Sequence, residues 1–335
     1  MRGFTTLVEE YRGGLLENVH YGAVSVVDEK GNVLYHAGDP DHVTYLRSAA
    51  KPFQAIPVMK RKIDELYGLS GEEAALFAAS HRGEAFHIDA LESILHKTNI
   101  REEELHCCPN YPLNENAKAQ RLRDNEEKRR IFHNCSGKHA GLIALSKHMG
   151  WDPLTYYLPE HPVQQEIVDA IAYFADVPKE SIGMGIDGCG LPIFAVPLKS
   201  IALSYLKLAC PDLIQDEETR YAAERIAKLM NENPNMIADT QFVCSTLLKD
   251  SNLTAKGGAK GVYGIGLRKE RIGISLKVSD GSEQVWPSII ASILESLGYS
   301  NQDTIDSLYE LVPNQIINDN GLVVGERKAV FSLQS

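Results

Sequence analysis

Cysteine is scarce: six residues, at 107, 108, 135, 189, 210 and 244, in a chain of 335. So few, so scattered, do not make the disulfide framework that staples small secreted domains. Basic charge is short as well, since 34 Lys and Arg face 45 Asp and Glu and leave a formal net charge of −11. That deficit removes the footprint of a general nucleic-acid binder and gives an anionic membrane no grip. No apolar run in the sequence approaches the ~20 residues that span a bilayer. The opening MRGFTTLVEE lacks a continuous apolar stretch, so no secretory leader is expected and a cytoplasmic, reducing setting is. Also missing are internal repeats, low-complexity segments, a Pro/Gly/Ser-rich linker and a G-x-G-x-x-G turn opening a helix after a strand. One continuous domain over 1–335 is therefore expected, with room for a helical subdomain around 50–180.

What is present starts with apolar material: 44% of the residues are hydrophobic, enough to build a core without staples. Tyr21–Val27 and Val33–Ala37 are β-rich runs around a turn-like Asp28–Asn32, and Val262–Leu267 and Ile272–Val278 flank Arg268–Arg271 in the same way. Apolar residues at spacings of three and four predict helices over Phe53–Leu66, Ala85–His96, Ala140–His148, Val163–Phe174 and Glu217–Asn231. Strands near both ends with helices between them predict an α+β fold. An antiparallel sheet assembled from N- and C-terminal strands would be flanked by helices, without βαβ alternation. The mixed-sign run 122–130 reads as a solvated helix or loop.

The first chemical signal is Arg47-Ser48-Ala49-Ala50-Lys51-Pro52. Ser48 suits an N-cap and Pro52 is tolerated only in a first helical turn, so a helix should begin near Ser48. Residues three apart share a face, which brings the Lys51 amine toward the Ser48 hydroxyl. A serine is a poor nucleophile until a base takes its proton. With a reference pKa of about 10.4, only roughly one lysine in 2,500 is neutral at pH 7, so burial beside another cation is needed. On its own, S-x-x-K describes many ordinary capped helices. Two further pieces join it. Ser80, in Ala79-Ser80-His81-Arg82-Gly83, is a second hydroxyl or a cap for the helix that follows. Lys256, in Ala255-Lys256-Gly257-Gly258-Ala259-Lys260-Gly261, lies beside glycines that let backbone approach a ligand. S-x-x-K followed by K-x-G is the layout of penicillin-recognising serine enzymes and implies acyl transfer.

His133-Asn134-Cys135-Ser136-Gly137-Lys138-His139-Ala140-Gly141 precedes an apolar helix that Ser136 or Asn134 would cap, with Cys135, Lys138 and His139 around its first turn. Asp187-Gly188-Cys189-Gly190-Leu191-Pro192 is a glycine-rich turn after a strand-like run. Two thiolates and a nitrogen suit tetrahedral zinc, yet Cys135 and Cys189 have no zinc-finger spacing, and free buried thiols are the other reading. Cys107, Cys108, Cys210 and Cys244 read as packing residues.

Taken together and in this order, the Ser48, Cys135, Asp187 and Lys256 motifs resemble the L-asparaginase II family of the inducible rhizobial type, from the N-terminal hairpin to the C-terminal segments. The resemblance implies a serine β-lactamase/glutaminase-like fold, hydrolysis of L-asparagine to L-aspartate and ammonia, a homodimer and a zinc ion. By position it implies two serine–lysine pairs, Ser48 with Lys51 and Ser80 with Lys256, and zinc ligands Cys135, Lys138 and Cys189. Arg47 and Asp187 are expected, from charge matching, to hold the substrate's α-carboxylate and α-ammonium, with His139 and Asn134 as further substrate-binding candidates. One departure is Lys260, where the family pattern is acidic, which makes it a rival to Lys256. Other readings are a glutaminase or broader amidohydrolase, a penicillin-recognising protein, and a zinc-holding binding protein whose serines are only caps.

Overall fold

A computed structural model describes residues 3–335. Eleven strands form among these residues: β1 (Thr5–Arg12), β2 (Leu15–Val27), β3 (Val33–Ala37), β4 (Val43–Tyr45), β5 (Gly183–Ile186), β6 (Pro192–Pro197), β7 (Leu253–Gly258), β8 (Val262–Leu267), β9 (Ile272–Val278), β10 (Gln315–Ile317) and β11 (Val323–Ala329). The main sheet runs β10-β11-β1-β2-β9-β8-β7, with β3 also on β2, and its pairings are antiparallel. Its strands come from the two ends of the chain, as the α+β reading expects. A smaller sheet, β4-β6-β5, lies in the intervening segment.

Both expected hairpins form, and β2 extends six residues before the expected Tyr21 to pair with β1. Most of the expected helices form as well, at Ala85–Lys97, Ser136–Met149, Pro162–Ala175 and Glu217–Glu232. The expected helix over Phe53–Leu66 instead breaks into Lys51–Gln54, Ile56–Lys60 and Ile63–Leu66. Pro57, which has no N–H, sits in the first turn of the second piece, and Lys62 (φ +50°) leaves the helical region before the third. Helices at Leu198–Ala209, Trp286–Ser296 and Gln302–Leu311 complete the layer arrangement. The run 122–130 ends one exposed helix, Glu115–Arg123, and continues as loop.

Helix Leu198–Ala209 lies directly on the sheet because three glycines face it. A Cβ at Gly266 would fall 2.2 Å from the Tyr205 carbonyl oxygen, one at Gly273 2.0 Å from that of Ala202, and one at Gly264 2.2 Å from the Tyr205 ring. Gly266 and Gly273 are register partners on β8 and β9, so the smooth floor spans two strands. The helix thereby brings the Tyr205 hydroxyl 2.7 Å from the Ala49 carbonyl, to which it donates. At the sheet's end, buried β7 is covered by the turn Arg47–Ala50 and the helix Val243–Leu248 rather than left as an open edge.

Candidate active site

β4 passes into a 3₁₀ turn, Arg47–Ala50, and then into the helix Lys51–Gln54 with Pro52 in its first turn. The change of direction is made at Arg47, whose φ of +50° is unusual for a residue with a side chain and costs on the order of 1 kcal/mol or more. Ser48 is therefore inside a tight turn and is not an N-cap; Leu46 holds that place, with no side-chain cap. The Ser48 hydroxyl is half-buried and makes no hydrogen bond among the described residues.

Lys51 points inward and is 1% exposed. Its Nζ donates to the Ala79 carbonyl (2.7 Å), the Ser80 hydroxyl oxygen (3.0 Å) and the Asn134 carbonyl (3.0 Å). The hydroxyl bonded to this amine is thus that of Ser80, 29 positions away, and not that of its near neighbour Ser48. The physical reason is satisfaction: a buried ammonium needs an acceptor for each N–H, and one hydroxyl on its own turn does not supply them. Burial, reinforced by the positive charges of Lys138 and Lys256 and opposed by Cys135 and Cys189, pushes the amine down to about 8.

Lys256, on β7, is also 1% exposed; its Nζ donates to the Gly257 carbonyl at 2.8 Å, and burial lowers its pKa. The K-x-G spacing has a packing cause. A Cβ at Gly258 would lie 2.3 Å from the Leu46 carbonyl oxygen and 2.9 Å from the Ala49 nitrogen, so only glycine lets β7 lie against the Ser48 turn. Lys260 is exposed, in the tight β7–β8 turn, with φ +70°. Of the two rivals, Lys256 is the one inside.

The helix Ser136–Met149 begins after Cys135 without a side-chain cap, contrary to the expected role of Ser136 or Asn134. Its glycines fit it to the turn Leu76–Ala78 just before Ser80: a Cβ at Gly137 would be 2.3 Å from the Leu76 carbonyl oxygen, and one at Gly141 2.9 Å from the Phe77 ring. Lys138 is buried and donates to Cys189 Sγ at 3.4 Å. Cys135 and Cys189 are buried, and Cys135 Sγ donates to Asn134 Oδ1 at 3.7 Å. The neighbouring Cys189 thiol, helped by Lys51 and Lys138 against the cost of burial, holds the Cys135 thiol well below its usual range. Among the described residues no cluster of three or more His, Cys, Asp or Glu forms a metal cage. The Cys135–Lys138–Cys189 set is of a different kind, two sulfurs and an amine. These are soft and borderline donors of the type zinc accepts, and the amine's partner among the described residues is a thiol rather than a carboxylate.

Arg47 and Asp187 meet each other: both Nε (3.1 Å) and a terminal nitrogen (2.7 Å) of Arg47 donate to Asp187 Oδ1, which also accepts from the Gly188 N–H. The turn that carries Asp187 and Cys189 needs Gly190, with φ +86° and no room for a Cβ beside His106. Asn134 contributes its carbonyl to Lys51. His139 is fully buried, its Nδ1 2.5 Å from the Tyr156 hydroxyl, and burial keeps it neutral. Sequence reasoning missed Tyr205, which anchors the Ser48 turn, and Cys244, whose sulfur accepts from the Gly257 N–H and the Tyr263 hydroxyl next to Lys256 (3.2 Å each). It also missed the contact between His81 and Ser136, whose side chains meet at 2.8 Å. No spacing in the chain signals these contacts, which join positions 13 to 156 apart.

The α+β frame buries Lys51 and Lys256 in the region of the half-buried Ser48 and Ser80, and the family the chain matches makes it an amide-cleaving hydrolase. The sequence profile of L-asparaginase II matches residues 8–329, and the chain belongs to that family. No curated protein matches it in sequence. Among solved structures, a Bacillus glutaminase in the presence of 4.3 M NaCl is 14% identical over 84% of this chain and 92% of its own, with a TM-score of 0.39. A putative beta-lactamase from Bacteroides dorei is 13% identical over 82% and 93% (TM-score 0.44), and a Mycobacterium bovis beta-lactamase 12% over 82% and 94% (TM-score 0.40). No helix among the described residues is long and apolar enough to cross a membrane.

Proposed function

We propose that the protein hydrolyses the side-chain amide of L-asparagine to L-aspartate and ammonia through an acyl-enzyme on Ser48. The observation that carries this reading is the buried Lys51 amine. At a pKa of about 8, about one amine in ten is neutral at pH 7, some two- to three-hundredfold more than for an exposed lysine. As an ammonium, Lys51 donates to Ala79 O, Ser80 Oγ and Asn134 O. Once neutral it has a lone pair to direct, and the carbonyls cannot donate to it. Only the Ser80 hydroxyl can turn round and do so. Ser80 is therefore the proton carrier of Lys51. Ser48, on the same turn with an uncommitted hydroxyl, attacks the amide carbon and passes its proton by way of Ser80. The C–N bond breaks, the leaving nitrogen takes a proton and departs as ammonia, and water cleaves the ester. Lys256, on β7, is the second buried amine; its charge lowers the pKa of Lys51 and assists return of the proton.

Arg47 and Asp187 hold the α-carboxylate and α-ammonium of the substrate, their own ion pair extended into an alternating array of four charges. Cys135, Lys138 and Cys189 would hold a zinc ion, which when bound supplies a fixed positive charge next to the site. The active form is a homodimer. An ammonia assay with asparagine and with glutamine tests the reading. Release from asparagine supports it, a preference for glutamine changes the substrate, and binding of zinc or ligand without ammonia release leaves only a binding protein.

A further inference from the structure

Lys51 is held by two separate segments. Ala79 and Ser80 come from the end of the turn Leu76–Ala78, and Asn134 comes from the loop before the helix Ser136–Met149. Besides the Gly137 and Gly141 packing, a side-chain bond joins the two segments, one residue beyond Ser80 and two beyond Asn134. His81 follows Ser80 and Ser136 follows Cys135; both are fully buried, and His81 Nε2 is 2.8 Å from Ser136 Oγ. The Ser136 hydroxyl donates to the Ile131 carbonyl at 3.1 Å, so its oxygen is left to accept, and His81 is the Nε2–H tautomer. His81 Nδ1 then has no partner among the described residues. Leaving a buried ring nitrogen unpaired costs free energy that a phenylalanine of similar shape would not incur. Folding alone therefore gives poor reason for an imidazole here.

We propose that His81 is a positioning residue for the amidase reaction: its Nε2–H, through Ser136, sets the Ser80 segment against the Asn134 segment and so holds Ser80 on Lys51. The role rests on the reading of Lys51 and Ser80 given above. The backbone on the far side is already fixed, with the Ser80 N–H on the Ile237 carbonyl (2.8 Å) and the Arg82 N–H on the Ala238 carbonyl (3.1 Å). The His81–Ser136 bond thus governs placement toward Asn134 and leaves the strand-like path of 80–82 alone.

The test is steady-state ammonia release from asparagine by the full-length protein and its His81→Phe, His81→Gln and Ser136→Ala variants, with thermal unfolding alongside. His81→Phe is expected to lower kcat at least tenfold with KM within twofold. His81→Gln, which keeps an N–H at the same reach, should recover most of the loss. Ser136→Ala should lower kcat like His81→Phe, and the double variant should lose no more than either single one. Unchanged kcat in His81→Phe overturns the proposal, as does a loss in His81→Gln equal to that in His81→Phe. Should His81→Phe fail to fold, unchanged kcat in Ser136→Ala overturns it on its own. Absence of ammonia from the unsubstituted protein refutes the asparagine reading instead, and is thereby told apart from failure of the positioning role.

Discussion

Lys51 stands 1% exposed and hydrogen-bonded to two carbonyls and a hydroxyl, and the proposed reaction turns on its protonation. In the mechanism proposed above the working form is the neutral amine. Activity should therefore climb about tenfold per pH unit below about 8 and level off above it, as a kcat/KM profile would register. Lys256→Met removes a neighbouring positive charge, so the residual activity should rise at higher pH than in the unsubstituted protein. Ser48→Ala and Lys51→Met should each abolish ammonia release with far-ultraviolet circular dichroism unchanged; near-normal turnover by either would refute the assignment. The same shift bears on stability. The folded pKa lies below the unfolded 10.5, so the folded state binds the proton less tightly. The penalty, about 3 kcal/mol, weighs fully below pH ~8 and fades as pH rises toward 10.5. Ser48, Lys51, Ser80 and Lys256 stood out in the sequence as candidates, because hydroxyl, amine and glycine occur there in telling spacings. Which hydroxyl meets which amine was not, since Lys51 and Ser80 join across 28 intervening residues and satisfaction of a buried cation decides the matter.

Among the elements, the hairpins β2–β3 and β8–β9 and the amphipathic helices were readable because period two and period 3.6 are local properties. The helix Leu198–Ala209, buried nearly all round, was not read. Its seat on Gly264, Gly266 and Gly273 explains glycines that the strand pattern alone leaves unaccounted for. Gly266→Ala would push a methyl into the Tyr205 carbonyl, a backbone group that cannot swing aside. A loss of about 1–3 kcal/mol is expected, read as a fall in the denaturant midpoint. Because Tyr205 also holds Ala49, kcat should fall along with stability. Tyr205→Phe separates the two effects: it deletes the hydrogen bond for about 1 kcal/mol and keeps the packing.

On the scale of the whole molecule, strands from the first and last quarters of the chain close one sheet, and that arrangement was legible from where the β-rich runs fall. β1 and the terminal β10–β11 pair were not: β10 has only three residues, and β1 (TTLVEEYR) and β11 (VVGERKA) mix charges into their runs without a period-two apolar pattern. β11 pairs with β1 from Val8↔Ala329 to Arg12↔Gly325, on the side of the sheet away from β7. Removing 314–335 should therefore lower the melting temperature while leaving asparagine turnover measurable, provided the truncated chain is assayed well below its midpoint. Light scattering should give twice the chain mass if the dimer proposed above is correct, and a single chain mass would refute it.

The seclusion of Lys51, Lys138 and Lys256, each at most 3% exposed, has a practical side. Amine-reactive dyes, cross-linkers and activated resins should consume outer lysines such as Lys260 first and reach these three last. The protein should therefore tolerate immobilisation through its amines, a treatment that would silence a hydrolase whose working lysine stood in the open.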